Sequence, residues 1–115
     1  MALTVVLGAF GAHGLEDQLS TEAKSWWEVG VRYQAWHGLG LLILGSPSLS
    51  HLQSRTRKQV TFLLLIGIVL FSGSLYLMAL GGPRWFGAVT PLGGLAWVVA
   101  WGLLGWRCVA SEPSS

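Results

Sequence analysis

Stretches without a charged side chain set the frame of this chain. Residues 1–15, 33–54, 59–83 and 85–106 contain no Lys, Arg, Asp or Glu. A helix that crosses a bilayer needs about 20 apolar residues, within a range of roughly 17–25. The third and fourth stretches meet that length outright. The second is apolar only to about Gly45, so its helix has to start earlier, at Ser20 or Thr21, with polar first turns outside the lipid. The first is short and reaches spanning length only by including Glu16 and Asp17 at the surface. The pattern predicts four helices over about 1–17, 21–45, 59–81 and 90–108, with a polar tail at 111–115. The expected fold is an all-α integral membrane four-helix bundle, one domain over 1–110, with a short first helix.

Local signals support these ends. Ser20 suits the N-cap of the second helix, and Glu22 places an acid where the helix dipole favours one. Ser46-Pro47 stops that helix, because Pro forces the residue before it out of helical geometry. Gly81-Gly82-Pro83 stops the third. Thr90-Pro91 opens the fourth, with Pro at the first helical position. Residues 82–89 form a link whose Arg84, Trp85 and Phe86 suit the headgroup layer. Each helix also carries a face of small residues. Lipid tails are as apolar as Leu, so close backbone approach over small side chains drives membrane helices together. The expected packing positions are Gly8, Gly11, Gly30, Gly67 and Gly94. The expected inner faces run through Trp26, Gly30, Tyr33, His37, Gly40 and Leu44 in the second helix. In the third they run through Gly67, Phe71, Ser74, Met78 and Gly81, and in the fourth through Gly87, Pro91, Gly94, Val98, Trp101 and Gly105.

Composition sharpens the class. Hydrophobic residues make up 52% and charged residues 10% of the chain, against about 25% charged in a soluble domain. That excludes a disordered chain, a coiled coil and an ordinary cytosolic enzyme. The net charge of +2 comes with one cationic cluster, Arg55, Arg57 and Lys58, which reads as a membrane loop and not as a nucleic-acid surface. A single cysteine, Cys108, excludes an intrachain disulfide and a Cys-rich metal site. Residues 1–15 lack a leading cation and a convincing cleavage site, so the segment reads as retained. The loop at 46–58 and Arg107 carry four cations without acids, whereas Lys24, Arg32 and Arg84 are mixed with acids. The positive-inside rule then puts that loop and both termini in the cytoplasm.

Four segments, in order, resemble one family. They are GAFGAHGL at residues 8–15, VRYQAWH at 31–37, LFSGSLY at 70–76 and TPLGG at 90–94. Together they resemble the domain of unknown function 423 family, the YgdD/YwdK-like and transmembrane protein 256-like small membrane proteins, over roughly residues 5–106. The resemblance implies a small multi-pass membrane protein, in bacteria in the plasma membrane. It implies no established activity. Members of that family usually carry further residues ahead of the first helix, where this chain begins within it.

Candidate chemistry is sparse. His13 and His37 are expected in the same outer half of the bilayer, where two imidazoles on neighbouring helices can hold haem iron, another tetrapyrrole metal or a transition metal. The simpler reading is that Tyr33 and His37 bond each other or a nearby backbone, and that His13 ties the first helix to the second. A proton-linked role is a further alternative. Glu28 and Arg32 have the spacing of a helical ion pair and are expected at the outer interface. Ser72, Ser74 and Tyr76 are expected to make hydrogen bonds within their own helix or across to a neighbour. Most of the seven Trp residues fit an interfacial belt. No phosphate loop, HExxH or nucleophile triad is present. The expectation is a protein that is not an enzyme, requires no cofactor and has no metal site. Its partners are expected to be the bilayer and either other membrane helices or a second copy, so that it serves as a structural or accessory subunit. A tetrapyrrole- or metal-binding protein using His13 and His37, and a small oligomeric transporter or channel, are the alternatives.

Overall fold

The computed structural model describes residues 1–15 and 17–110; Glu16 and the tail at 111–115 lie outside the described residues. The chain folds into an all-α integral membrane four-helix bundle with a short first helix. The helices are α1 (Ala2–Gly14), α2 (Thr21–Leu44), α3 (Ser54–Ala79) and α4 (Thr90–Ala110), with no strand among the described residues. At 1.5 Å per residue α1 is about 20 Å long, shorter than the roughly 30 Å of a bilayer's hydrocarbon core.

Local chemistry sets the ends. The Ser20 hydroxyl accepts the Ala23 N–H at 3.1 Å and starts α2. α3 begins at Ser54, before the uncharged run, so Arg55, Arg57 and Lys58 lie in its first turns and not in a loop. Arg57 donates from Nη2 to the Leu49 carbonyl at 2.6 Å, which ties α3 to the 3₁₀ turn Pro47–Leu49. At the other end of α3, Gly82 N–H reaches Leu77 O at 2.7 Å and Gly81 N–H reaches Met78 O at 3.1 Å. That pair of bonds is the Schellman arrangement, and it needs the left-handed backbone that Gly81 adopts at φ 100°. The predicted link at 82–89 contains a 3₁₀ turn, Arg84–Ala88.

Two π-helical turns interrupt the α-helical pattern. α1 ends in one over Phe10–Gly14, and α3 contains one over Ile68–Ser72. The second has a consequence for packing. The buried positions of α3 run Thr56, Val60, Leu64 and Gly67, then step five residues to Ser72 before Leu75 and Ala79, with the expected Ser74 also buried. The extra residue of the π turn moves the inner face from Phe71 to Ser72. The expected face through Phe71 and Met78 is corrected accordingly. α4 is also shifted: its buried positions are Gly93, Trp97, Ala100 and Leu104, one residue from the expected Gly94, Val98, Trp101 and Gly105. In α2 the buried stripe is Ala23, Trp27, Gly30, Gln34, His37, Gly40 and Leu44. Trp27 and Gln34 take the places expected of Trp26 and Tyr33.

Backbones approach closely where these stripes meet. A Cβ on Gly67 would overlap the Trp97 indole, and one on Gly93 would overlap the Phe71 backbone. A Cβ on Gly30 would lie 2.7 Å from the Tyr76 ring, and one on Gly11 would overlap the Trp27 indole. Gly8 would make only ordinary contact with Val31, and Gly94 would clear Phe71 at 3.9 Å. The α3–α4 crossing therefore uses Gly93 where Gly94 was expected. Apolar packing gathers at two levels. One cluster holds Leu44, Leu52, Val60, Leu64, Trp97, Ala100 and Leu104; the other holds Leu15, Ala23, Trp27 and Ala79. A layer of polar side chains separates them.

Candidate functional site: the polar layer and the α1–α2 cleft

Register follows from the contacts. Ala23 packs with Ala79, Ser72 bonds Gly30, and Gly40 faces Leu64. Gly67 and Gly93 lie against each other. α2 and α3 thus run antiparallel, as do α3 and α4. Thr4 reaches Gln34, and Gly8 and Gly11 face Val31 and Trp27, so α1 is antiparallel to α2. On this register Gly45, Lys58 and Arg107 share one end, and Ser25, Met78 and Arg84 share the other. Gln34 lies close to the middle.

Gln34 is the centre of the polar layer. It is buried, and its Nε2 donates to Thr4 Oγ1 at 2.9 Å while its Oε1 accepts the Tyr76 hydroxyl at 2.6 Å. One amide therefore joins α1, α2 and α3. The Ser72 hydroxyl donates to the Gly30 carbonyl at 2.7 Å. Trp27 Nε1 donates to Leu7 O at 2.9 Å, and Trp97 Nε1 to Leu64 O at 3.2 Å. These indoles are core residues, not members of an interfacial belt. Ser74 donates to Phe71 O in its own turn at 2.9 Å and lies 2.5 Å from the Thr90 hydroxyl, which joins α3 to the start of α4. Among the described residues, Arg57 Nε is the only buried side-chain nitrogen or oxygen without a partner. Buried polar groups in membrane bundles are satisfied in this way because lipid offers no alternative partner.

The histidines are not brought together. His13 is exposed in the terminal turn of α1, at the level of α2's first turns. His37 is buried, with Nδ1 2.7 Å from the Tyr33 carbonyl and its ring stacked on Trp97 at 3.7 Å between centroids. The two levels are about twelve helical residues apart, roughly 18 Å. A shared metal or tetrapyrrole iron is thereby excluded as a reading of this pair, and the expectation that both lie in the outer half is corrected. Nor does His13 tie α1 to α2, since Thr4 and Trp27 do that. Among the described residues, no group of three His, Cys, Asp or Glu side chains has metal-binding geometry. Tyr33 stacks on Trp97 and is tilted against Phe71 at 4.9 Å, so His37 sits in an aromatic packing group.

Glu28 and Arg32 have the spacing of a helical ion pair but do not form one. Both are exposed, and the ion pair found among the described residues is Arg84–Glu22 at 3.8 Å, at the surface. No ion pair joins Glu28 to Arg32. Lys24, Glu28 and Arg32 recur every four residues and so form one stripe on α2, beside its buried stripe, with Glu28 and Arg32 exposed and Lys24 half-buried. The stripe borders a cleft of about 520 Å³ between α1 and α2, also lined by Gly8, Gly11, Ala12, Trp27 and Val31. By register, Arg32 is level with the middle of α3's uncharged run, not with its end.

Residues 7–94 match the family described as Protein of unknown function (DUF423). The chain belongs to the DUF423 family. Among its relatives, the UPF0382 membrane protein of Staphylococcus haemolyticus is 48% identical over 102 residues, covering 89% of this chain and 82% of the relative. YwdK of Bacillus subtilis, a UPF0382 membrane protein, is 44% identical over 86% of this chain and 80% of its own length. The UPF0382 inner membrane protein YgdD of Escherichia coli is 40% identical over 87% of this chain and 76% of its own. No solved structure matches. The DUF423 match takes in α2 whole and α3 whole, with the stripe, Gln34, Ser72 and Tyr76, while Thr4 and Trp97 lie outside it. Gln34, and with it its bond to Thr4, was missed in the sequence because neither side chain is ionisable. Their signal was available all the same: a glutamine in an otherwise apolar span needs a partner.

Proposed function

We propose that this DUF423 protein is a non-catalytic, multi-pass subunit of the bacterial plasma membrane that works by packing against other membrane helices. Both termini and the loop between α2 and α3 face the cytoplasm. Support for the orientation comes from Arg55, Arg57, Lys58 and Arg107, which gather at one end of the register.

One observation carries the reading. Centred on the uncharged runs of α3 and α4, a hydrocarbon layer of about 30 Å reaches from the level of Gly45, Lys58 and Arg107 to that of Ser25, Met78 and Arg84. Arg32 then lies within about 5 Å of the midplane, Glu28 about 6 Å nearer the outer surface, and Lys24 at that surface. Glu28 and Arg32 are on the outside of the monomer, and Lys24 is half-buried. An arginine or acid at the centre of a helix facing lipid costs about 2.5–3.5 kcal/mol on insertion scales. A partner that covers Glu28 and Arg32 removes that cost. The buried polar groups, by contrast, are already satisfied by one another, which is what a packing device needs and a reaction centre does not.

The test is migration of the tagged chain on native gels after extraction from its own membrane in mild detergent. A discrete assembly larger than the monomer is expected, and Arg32→Glu is expected to release the monomer. Monomer alone in the parent protein, or an assembly indifferent to Arg32→Glu, contradicts the proposal.

A further inference from the structure

We infer that the α1–α2 cleft is the interface between two copies of this chain, arranged side by side about a twofold axis along the membrane normal. The inference rests on the packing role proposed above and names the partner. Its basis is charge complementarity. Along the outward face of α2 the charges run cation, anion, cation at Lys24, Glu28 and Arg32, one turn apart. Two parallel copies related by a twofold axis place equal residues at equal height, and such an interface is self-complementary. Each Glu28 then stands one turn from the partner's Arg32 and one turn from the partner's Lys24. Both copies gain the same pair of contacts, and the single anion of each stripe is shared between two cations. A charge unpaired inside its own chain finds an opposite charge in the other.

The surroundings fit the same occupant. Gly8 and Ala12 lie one turn apart on α1 and border the cleft, so a second helix backbone can come close there. Residues 35 and 39 continue the outward face of α2 below Arg32, with Leu39 47% exposed. An anionic lipid would satisfy Arg32 and Lys24 but would be repelled by Glu28 between them; a copy of the same stripe satisfies all three. The insertion rule orients every copy alike in the membrane, which makes the parallel arrangement the one available.

The experiment is disulfide cross-linking in native membranes. Leu39→Cys is placed in a Cys108→Ser background, with Val98→Cys on the exposed face of α4 as the control site. Leu39→Cys is expected to give the dimer, and Val98→Cys is not. Adding Glu28→Arg or Arg32→Glu alone is expected to lower the dimer at least fivefold, since each breaks the alternation: the first makes the stripe wholly cationic, the second sets two adjacent anions against the same two in the partner. Co-expressing the two variants under different tags is expected to restore a mixed dimer, because positions 28 and 32 are then cationic in one copy and anionic in the other. Restoration also shows that each variant folds. Equal cross-linking at both cysteines, single variants that cross-link like the parent, or no mixed dimer each overturn the inference. If Leu39→Cys instead cross-links to a different membrane protein, the twofold interface is wrong while the packing role stands. If the chain is monomeric and cross-links to nothing, both fall.

Discussion

Gln34 is the side chain whose loss disturbs the most elements at once, because its single amide holds Thr4 of α1 and Tyr76 of α3. Replacing it by Leu leaves a hydroxyl on each neighbour without its partner. Interhelical hydrogen bonds in membranes average about 0.6 kcal/mol each and reach about 1.7, so Gln34→Leu should cost about 1–3 kcal/mol in unfolding free energy measured in mixed micelles. Tyr76→Phe removes one of the two bonds and should cost about half as much; equal stability of Gln34→Leu and the parent contradicts the bonding described. The glycines make an equally specific claim. Gly93→Ala forces a methyl into the Phe71 backbone, where overpacking typically costs 1–3 kcal/mol, whereas Gly94→Ala and Gly102→Ala meet no close atom. Thermal unfolding should separate Gly93→Ala from the other two. These one-residue distinctions were not legible in the sequence, since two adjacent glycines on a helix look alike until a neighbour fixes the rotation.

The helices themselves were more legible than their faces. Ser20, Gly81 and Pro91 mark ends by their own backbone chemistry, which needs no neighbour, and the structure places helix boundaries beside each. Gly81→Ala keeps the sequence of α3 but forbids its left-handed exit comfortably; left-handed backbone costs an L-residue roughly 1–2 kcal/mol, and denaturation of that variant should show a loss of that size. The face of α3 was displaced because the π turn Ile68–Ser72 adds a residue to its period, and that of α4 because Gly93 and not its neighbour Gly94 meets the Phe71 backbone. Nothing in IVLFS announces such a turn, since it depends on Phe71 and Ser72 finding Trp97, Tyr33 and Gly30. α2 was legible as a helix and in most of its inner face, Gly30, His37, Gly40 and Leu44. What the sequence did not show is that Lys24, Glu28 and Arg32 lie along one stripe beside the buried one.

Across the molecule the bundle has a finished interior and an unfinished exterior. Apolar clusters near both ends enclose the Gln34 layer, and the described buried polar groups other than Arg57 Nε have partners. The α1–α2 flank instead presents an exposed arginine, level with the middle of α3's uncharged run, beside a short helix. Everything proposed about association depends on that depth. A nitroxide label on Arg32→Cys, read by its relative accessibility to oxygen and to a water-soluble nickel complex in liposomes, measures it directly. Val69→Cys, on α3 at nearly the same level and 65% exposed, supplies the midplane reference, and Lys24→Cys the headgroup reference. The account predicts that the label at 32 lies within about 5 Å of the depth found at 69. A depth matching that at 24 contradicts it.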